Sequence, residues 1–506
     1  MILSPYGEQE GARHGVPLHH YPMGENLMKI HGWLSCTFIF AATALVGMLL
    51  LASVNFTAAG ADGRPAANDK TIPEASPNLA PDERFKTDIL VIVAHPDDET
   101  EVTGYLARAI FDEHKRVAVI FGTPGNGGGD AEGNAQAAAL GAIRSTEARE
   151  AMAAFGVLHV WFLCGTDTPG QNVLQSLETW DHGRALGEAV RLVRLTRPEV
   201  ILTWLPMYVA GENHDDHQAA GVIATEAFDL AGDPTAFPEQ ISHPRNRMGI
   251  MNLTEGLLPW QPKKIYYFSD ALHTEFLEGQ GPRYITTEVS PSQHKTYYQL
   301  ALESAAHHLT QDDTGQAAKQ ALSGGPDFVY GKEPVLLVLG KSLVGGTTTG
   351  DVLEGIQPGE APFAPVTGYR PETRQGVSTE LGGPWAFYKR LWKAHNIEHL
   401  SDLLKIPEVA VGNGELVNVP ILIHNDTDQP AEVTLTSAIP AGWKESHGTA
   451  RYPVRPHETY PAETQYISPS TAKPEWQTLR WKAEADGETI GTLTLRVLTD
   501  SPGLPQ

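Results

Sequence analysis

A chain of 506 residues is too long for one typical domain and predicts roughly three folding units, at least one of them with a large core. Its 61 Asp and Glu against 37 Lys and Arg give a formal charge of -24, which repels phosphate backbones and excludes nucleic acid as an expected partner. Two cysteines, Cys36 and Cys164, exclude a disulfide framework and a cysteine-built zinc site, so any metal must be held by His and carboxylate.

Residues 1–61 predict an N-terminal extension. No Asp, Glu, Lys or Arg occurs from Gly32 to Ala61, and the apolar segment 33–54 is long enough to span a bilayer as a helix. It reads as a signal peptide, with Met28-Lys29 as its natural start, or as an uncleaved anchor. Both readings export the rest of the chain to a periplasmic or other extracytoplasmic place, and only the second keeps it on the membrane. Residues 62–86, broken by Pro65, Pro73, Pro77 and Pro81, predict an extended linker.

From residue 87 to 344 the pattern is α/β. Short continuous apolar runs, Ile89 to Ala94, Val117 to Phe121, Val157 to Leu163, Val200 to Trp204, Lys264 to Phe268 and Val335 to Gly340, predict strands covered on both faces. Helical patterns alternate with them at Glu99 to Glu113, Asn134 to Phe155, Gly183 to Thr196 and Gln218 to Ala231. This order predicts a Rossmann-like, mostly parallel sheet. Residues 345–404 predict a linker with one short helix, where Pro384 suits the first turn and Trp385, Tyr388 and Trp392 fall on one packing face. Residues 405–500 change to short alternating strands with turn clusters and predict an all-β sandwich.

Two constellations carry chemistry. The first strand ends in Ala94-His95-Pro96-Asp97-Asp98-Glu99 and runs straight into a helix, at the carboxyl end of a strand where open α/β sheets bind ligands. Adjacent carboxylates beside an imidazole repel unless a cation or hydrogen bonds stabilise them. His95 and Asp98 can chelate one ion, although Asp97 and Asp98 would also serve as plain N-terminal helix caps. The second constellation, His214-Asp215-Asp216-His217, follows another strand and opens another helix. His217 can complete a three-ligand set, which leaves a fourth position open as in catalytic zinc sites. Asp97, where it is not a ligand, is then the candidate base, and His214 with Asp216 behind it a candidate acid or oxyanion partner. A solvated His-rich loop is the plain alternative for this segment.

The AHPDDE sequence at 94–99 and the HxDH sequence at 214–217 resemble the two signatures of the PIG-L/LmbE-like de-N-acetylases, which include enzymes acting on N-acetylglucosaminyl conjugates. Arg144 and Glu147, Arg197 to Val200, Pro259-Trp260, Lys264 to Tyr267 and His308-x-Thr310-Gln311 extend the resemblance over about 87–344. It implies zinc, or ferrous iron, on His95, Asp98 and His217, with Asp97 as base, His214 and Asp216 stabilising the oxyanion, and Arg144 at the substrate. One departure is Asp215, where the family often has Pro. The implied activity is removal of acetyl from an N-acetylated, N-acetylglucosamine-containing small molecule or glycoconjugate. Two competing readings are a catalytically idle surface glycan binder and a metal amidase on a non-sugar conjugate. No motif points to a protein partner.

Softer signals are assigned to structure. Gly125 to Gly129 follows a strand, but Asp130 stands where a dinucleotide loop needs its third glycine, so the segment predicts a mobile pocket rim. His159 and His182 predict packing or capping. Trp443, Trp476, Trp481 and Tyr466 predict sandwich core rather than a sugar platform. Ile439 to Trp443 resembles a stretch of the Ig-like domains appended to carbohydrate-active enzymes.

Overall fold

The computed structural model describes residues 81–210, 215–241, 257–271, 273–328, 333–357, 359, 363, 366, 368–370, 372–470 and 474–500. The apolar segment 33–54, Met28, the tether before residue 81 and His214 lie outside the described residues. The chain divides into two units, Met1–Ala75 and Ser76–Gln506, and every described residue belongs to the second. Among the described residues no helix is long and apolar enough to cross a membrane.

The apolar runs become β1 (Ile89–Val93), β2 (Val117–Phe121), β3 (Val160–Phe162), β4 (Val200–Trp204) and β5 (Lys264–Phe268). All five residues of β1, β2, β4 and β5 are buried, as strands sandwiched between helical layers require. A short β6 (Arg283–Tyr284) pairs with β7 (Val335–Leu336), and β8 (Val338–Ser342) closes the main sheet. Its order is β3-β2-β1-β4-β5-β8, parallel except for β8, which runs antiparallel to β5. The order reverses between β1 and β4, so their carboxyl ends flank the switch point where such sheets open a crevice.

The helices are α1 (Thr100–Phe111), α2 (Ala137–Ala153), α3 (Val173–Thr179), α4 (His182–Thr196), α5 (Asp215–Leu230), α6 (Tyr297–Ala305) and α7 (Ala317–Leu322). Helix α5 rides close over β4. A Cβ on Gly221 would lie 2.4 Å from the Trp204 carbonyl oxygen, so glycine permits the approach that brings the first turn of α5 to the sheet edge. The short turn Glu83–Phe85 already belongs to the packed unit, since Lys86 Nζ pairs with Glu199 Oε1 at 3.1 Å.

Helix α8 (Gly383–Ala394) lays its aromatic stripe on the α/β layer. Tyr388 hydroxyl donates to Gln218 Oε1, and Trp392 Nε1 donates to the Pro206 carbonyl at 3.0 Å. The last region forms two sheets. One holds β10 (Glu408–Gly412), β12 (Ala431–Ala438), β14 (Ala450–Val454), β16 (Glu475–Ala485) and β17 (Glu488–Asp500), in the order β10-β17-β16-β12-β14. The other holds β11 (Leu416–Asn425), β13 (Lys444–His447) and β15 (Glu458–Ile467), joined by β9 (Val377–Leu381) from the expected linker. Trp443, Trp481 and Tyr466 are buried here, and Trp481 Nε1 donates to Tyr466 hydroxyl at 2.6 Å. Trp476 instead packs on His273 and Arg496.

Candidate metal centre

The turn after β1 folds back because three donors converge on one carboxylate oxygen. Asp98 Oδ2 accepts from the backbone N–H of Ala94 and of His95, both at 2.9 Å, and from Trp204 Nε1 at 2.7 Å. Its other oxygen, Oδ1, faces His95 Nδ1 at 3.5 Å and His217 Nε2 at 3.4 Å. His217 arrives from the first turn of α5, its ring stacked on the Trp204 indole with centroids 4.0 Å apart and planes 2° from parallel. Thus His95, Asp98 and His217, far apart in sequence, offer ligand atoms that all lie within 4.8 Å of one another.

A second group, His95, Asp167 and Asp216, also lies within that spread, but both Asp167 oxygens and Asp216 Oδ2 are already engaged. Asp167 bonds Thr123 hydroxyl and accepts from Gly127 N at 2.5 Å, while Asp216 Oδ2 accepts from Thr168 N at 2.8 Å. Asp216 Oδ2 also faces His95 Nε2 at 3.2 Å, so it holds the far side of that ring. The first set therefore fits a cation better. Two imidazole nitrogens and one carboxylate oxygen, all buried, are a donor set suited to zinc or ferrous iron.

Electrostatics point the same way. Burial disfavours the imidazolium of His95, yet Asp98 and Asp216 raise its pKa well above the usual range. Burial alone would raise Asp98, and His217 with His95 instead hold it well below the ordinary carboxylate value. The site wants positive charge beside Asp98. Asp97 differs: burial and the neighbouring Asp98 push it up to about 7. Its backbone sits at φ 107, outside the usual range for a residue with a side chain. Its N–H donates to Glu99 Oε2 at 3.0 Å and its Oδ2 accepts from Thr314 hydroxyl at 2.8 Å.

The segment after α6 clamps this turn. His308 Nε2 meets Glu99 Oε1 at 2.7 Å with both side chains fully buried, and Gln311 Nε2 donates to the Pro96 carbonyl at 2.7 Å. Arg144 and Glu147, one turn apart on α2, converge on Thr310: Arg144 Nε donates to its hydroxyl at 3.3 Å, and Glu147 accepts its N–H and hydroxyl at 3.0 and 2.7 Å. Arg144 also donates to the carbonyls of Gly125, Gly127 and Gly129 at 3.4, 3.2 and 2.8 Å, so its guanidinium holds the glycine rim. Together these elements enclose a cavity of about 1060 Å³ with His95, Asp97, Asp98 and His217 in its wall.

Sequence reasoning missed Trp204, Asp167, Asp270 and Thr314. Asp270, with Oδ2 3.6 Å from His217 Nδ1, lies just past β5, and Asp167 lies past β3. The rule that placed the two motifs at strand carboxyl ends would have flagged both. His159 and His182 stay outside the site: the first meets the Arg84 carbonyl at 2.8 Å, the second Glu226 Oε2 at 2.5 Å.

Residues 90–228, from β1 into α5, match the family model described as PIG-L: GlcNAc-PI de-N-acetylase. The 1D-myo-inositol 2-acetamido-2-deoxy-alpha-D-glucopyranoside deacetylase 1 of Catenulispora acidiphila is 32% identical over 188 residues, 33% of this chain and 54% of that protein. The corresponding deacetylase of Rhodococcus erythropolis is 32% identical over 166 residues, 30% of this chain and 55% of its own length. The chain thus spans about half the length of these curated relatives. Among solved structures, the N,N'-diacetylchitobiose deacetylase of Pyrococcus horikoshii is similar at 17% identity with a TM-score of 0.35, over 50% of this chain and 83% of that one. Residues 90–228 of the α/β domain are thus similar to the PIG-L family.

Proposed function

We propose that the α/β domain is a metal-dependent hydrolase that removes an acetyl group from an N-acetylated, glucosamine-containing substrate. One observation carries this reading. Asp98 Oδ1 lies between His95 Nδ1 and His217 Nε2 in the wall of an open cavity, with the Asp97 carboxylate beside it. His95, Asp98 and His217 would hold zinc or ferrous iron. When bound, such an ion polarises an amide carbonyl and lowers the pKa of water.

The chain's own groups do the rest. Asp97, pinned by Thr314 and with a pKa near 7, takes a proton from the attacking water and returns it to the leaving amine. Asp216 orients the His95 ring through Nε2. His214 keeps the proposed role of oxyanion partner on the strength of the H-x-D-H sequence at 214–217. Arg144 serves the substrate through the glycine rim it holds. The idle-binder reading is disfavoured, since a binder needs no base of this kind beside the ligand set.

Charge narrows the substrate. The cavity wall also carries Glu101, Asp130, Asp167, Asp270 and Asp313, and among the described residues that line it the one Lys or Arg is Arg144, bound to the rim. This wall favours neutral or amine-bearing sugars over phosphate-bearing conjugates. Supported by the apolar segment 33–54, we also place the domain outside the cytoplasm, which cell fractionation tests.

Acetate release should be screened over neutral and phosphorylated N-acetylglucosamine conjugates, with Asp97→Asn as control. Release from neutral sugars, falling about 10²–10⁴-fold in the variant, is expected. Unchanged release in Asp97→Asn would remove Asp97 from the base role.

A further inference from the structure

Trp204, the last residue of β4, touches two of the three ligand side chains, yet no part of the proposed chemistry uses it. It is 1% exposed, and its indole does two separate things. Nε1–H donates to Asp98 Oδ2 at 2.7 Å, and the ring plane lies against His217 at 4.0 Å, 2° from parallel.

The hydrogen bond helps set which Asp98 oxygen is available. Oδ2 already receives the N–H groups of Ala94 and His95 at 2.9 Å each, and the indole is its third donor. The indole N–H is the shortest of the three and the one carried by a side chain, so its loss weakens the hold that keeps Oδ2 from a cation. Oδ1 is turned toward the two imidazole nitrogens instead. A carboxylate with both oxygens free tends to chelate through both, which would add a fourth protein ligand atom and occupy the position a substrate or water needs. The stacking face acts on the other ligand, because a ring held flat on the indole cannot tilt out of the plane in which its Nε2 faces Asp98.

We propose that Trp204 is a positioning residue that restricts Asp98 to ligation through Oδ1 and fixes the His217 ring, so that the three-ligand site keeps an open coordination position. This rests on the metal-hydrolase reading above.

The test uses the full chain, stripped of metal and reloaded with cobalt(II), whose visible spectrum reports coordination number. Trp204→Phe keeps a stacking ring and removes the donor. Replacement of Trp204 by 3-benzothienylalanine keeps the whole bicyclic shape and removes only the N–H, which guards against a variant that fails to fold. The wild type should give the intense bands of a low-coordinate site. Both variants should show weaker bands of a higher coordination number, with metal affinity in chelator competition lower by about 10–100-fold. A folded benzothienylalanine protein with wild-type spectrum and affinity would overturn the proposal and leave Trp204 as packing. A wild type that takes up no stoichiometric cobalt or zinc would fail at an earlier point, by removing the metal reading on which the proposal stands.

Discussion

The α/β domain and the C-terminal β region both bury polar side chains, but they spend them differently. In the β region several buried groups find partners within the two sheets. Trp481 donates to Tyr466, Asn425 Nδ2 donates to the carbonyls of Gln429, Val454 and Arg455, and Thr464 donates to the Val419 carbonyl at 2.8 Å. At the β1 and β4 ends of the α/β domain, by contrast, His95, Asp98 and His217 converge on one cavity, and Asp98 Oδ1 faces two imidazole nitrogens. A buried polar group with one protein partner is satisfied architecture. Unlike ligands converging on an opening are a site.

The sharpest way to break that contrast is Asp98→Asn. The amide can still accept the three donors at Oδ2 but removes the anionic ligand, so metal content should drop far below one ion per chain. A bound ion supplies several kcal/mol of transition-state stabilisation, so acetate release should fall about 10³-fold or more. Tyr466→Phe, the matched change in the β region, should leave metal content and activity alone. If both variants retained metal, the two regions would not differ in the way their hydrogen bonding implies.

Glu99→Gln should have a smaller effect. Glu99 accepts from His308 at one oxygen and from the strained Asp97 N–H at the other. A glutamine presents an N–H₂ to one of those donors, which releases the turn that aims Asp97. We expect kcat about 10–100-fold lower with metal content unchanged. Loss of metal in this variant would show that Glu99 supports the ligands rather than the base.

How much of this was legible in the sequence follows from what each segment buries. Strands β1, β2, β4 and β5 stood out because both their faces are covered, which leaves continuous apolar runs. His95, Asp98 and His217 stood out because charged residues right after such runs have no packing reason to be there. Strand β13 was missed because all four of its residues are exposed and carry no alternation. Strands β14 and β15 contain Pro453 and Pro461, which argue against strand until a partner is known. Strand β9 lies in a Gly- and Pro-rich stretch and is recognisable only through its pairing with β11. Trp204 and Thr314 act across 106 and 217 residues of sequence, and no local spacing announces such contacts. The family resemblance places Arg144 at the substrate and says nothing of a shared partner with Glu147. Their convergence on Thr310 needed the fold.

The smallest expected effect on activity, and the best control for the contrast, is at Glu380 in β9. Its carboxylate accepts from Arg374 Nη2 at 2.7 Å, His424 Nε2 at 3.0 Å and Lys389 Nζ at 3.1 Å, a constellation as rich in charge as the candidate metal site but closed on itself. Partial burial would raise its pKa, and His424, Lys389 and Arg374 together pull it down to about 2. The unfolded chain titrates near the ordinary value of about 4.3. A depressed folded pKa means that the stabilisation is complete above the unfolded value and fades as pH falls toward 2. For this mostly buried group it amounts to on the order of 2–3 kcal/mol. Glu380→Gln should therefore lower the melting midpoint by several degrees at pH 7. The gap from wild type should narrow between about pH 4.5 and 2, with acetate release at neutral pH unchanged. A gap that stayed constant across that range would assign the loss to packing. A variant with impaired acetate release would mean that the ion cluster of β9, Lys389 of α8 included, reaches the cavity after all.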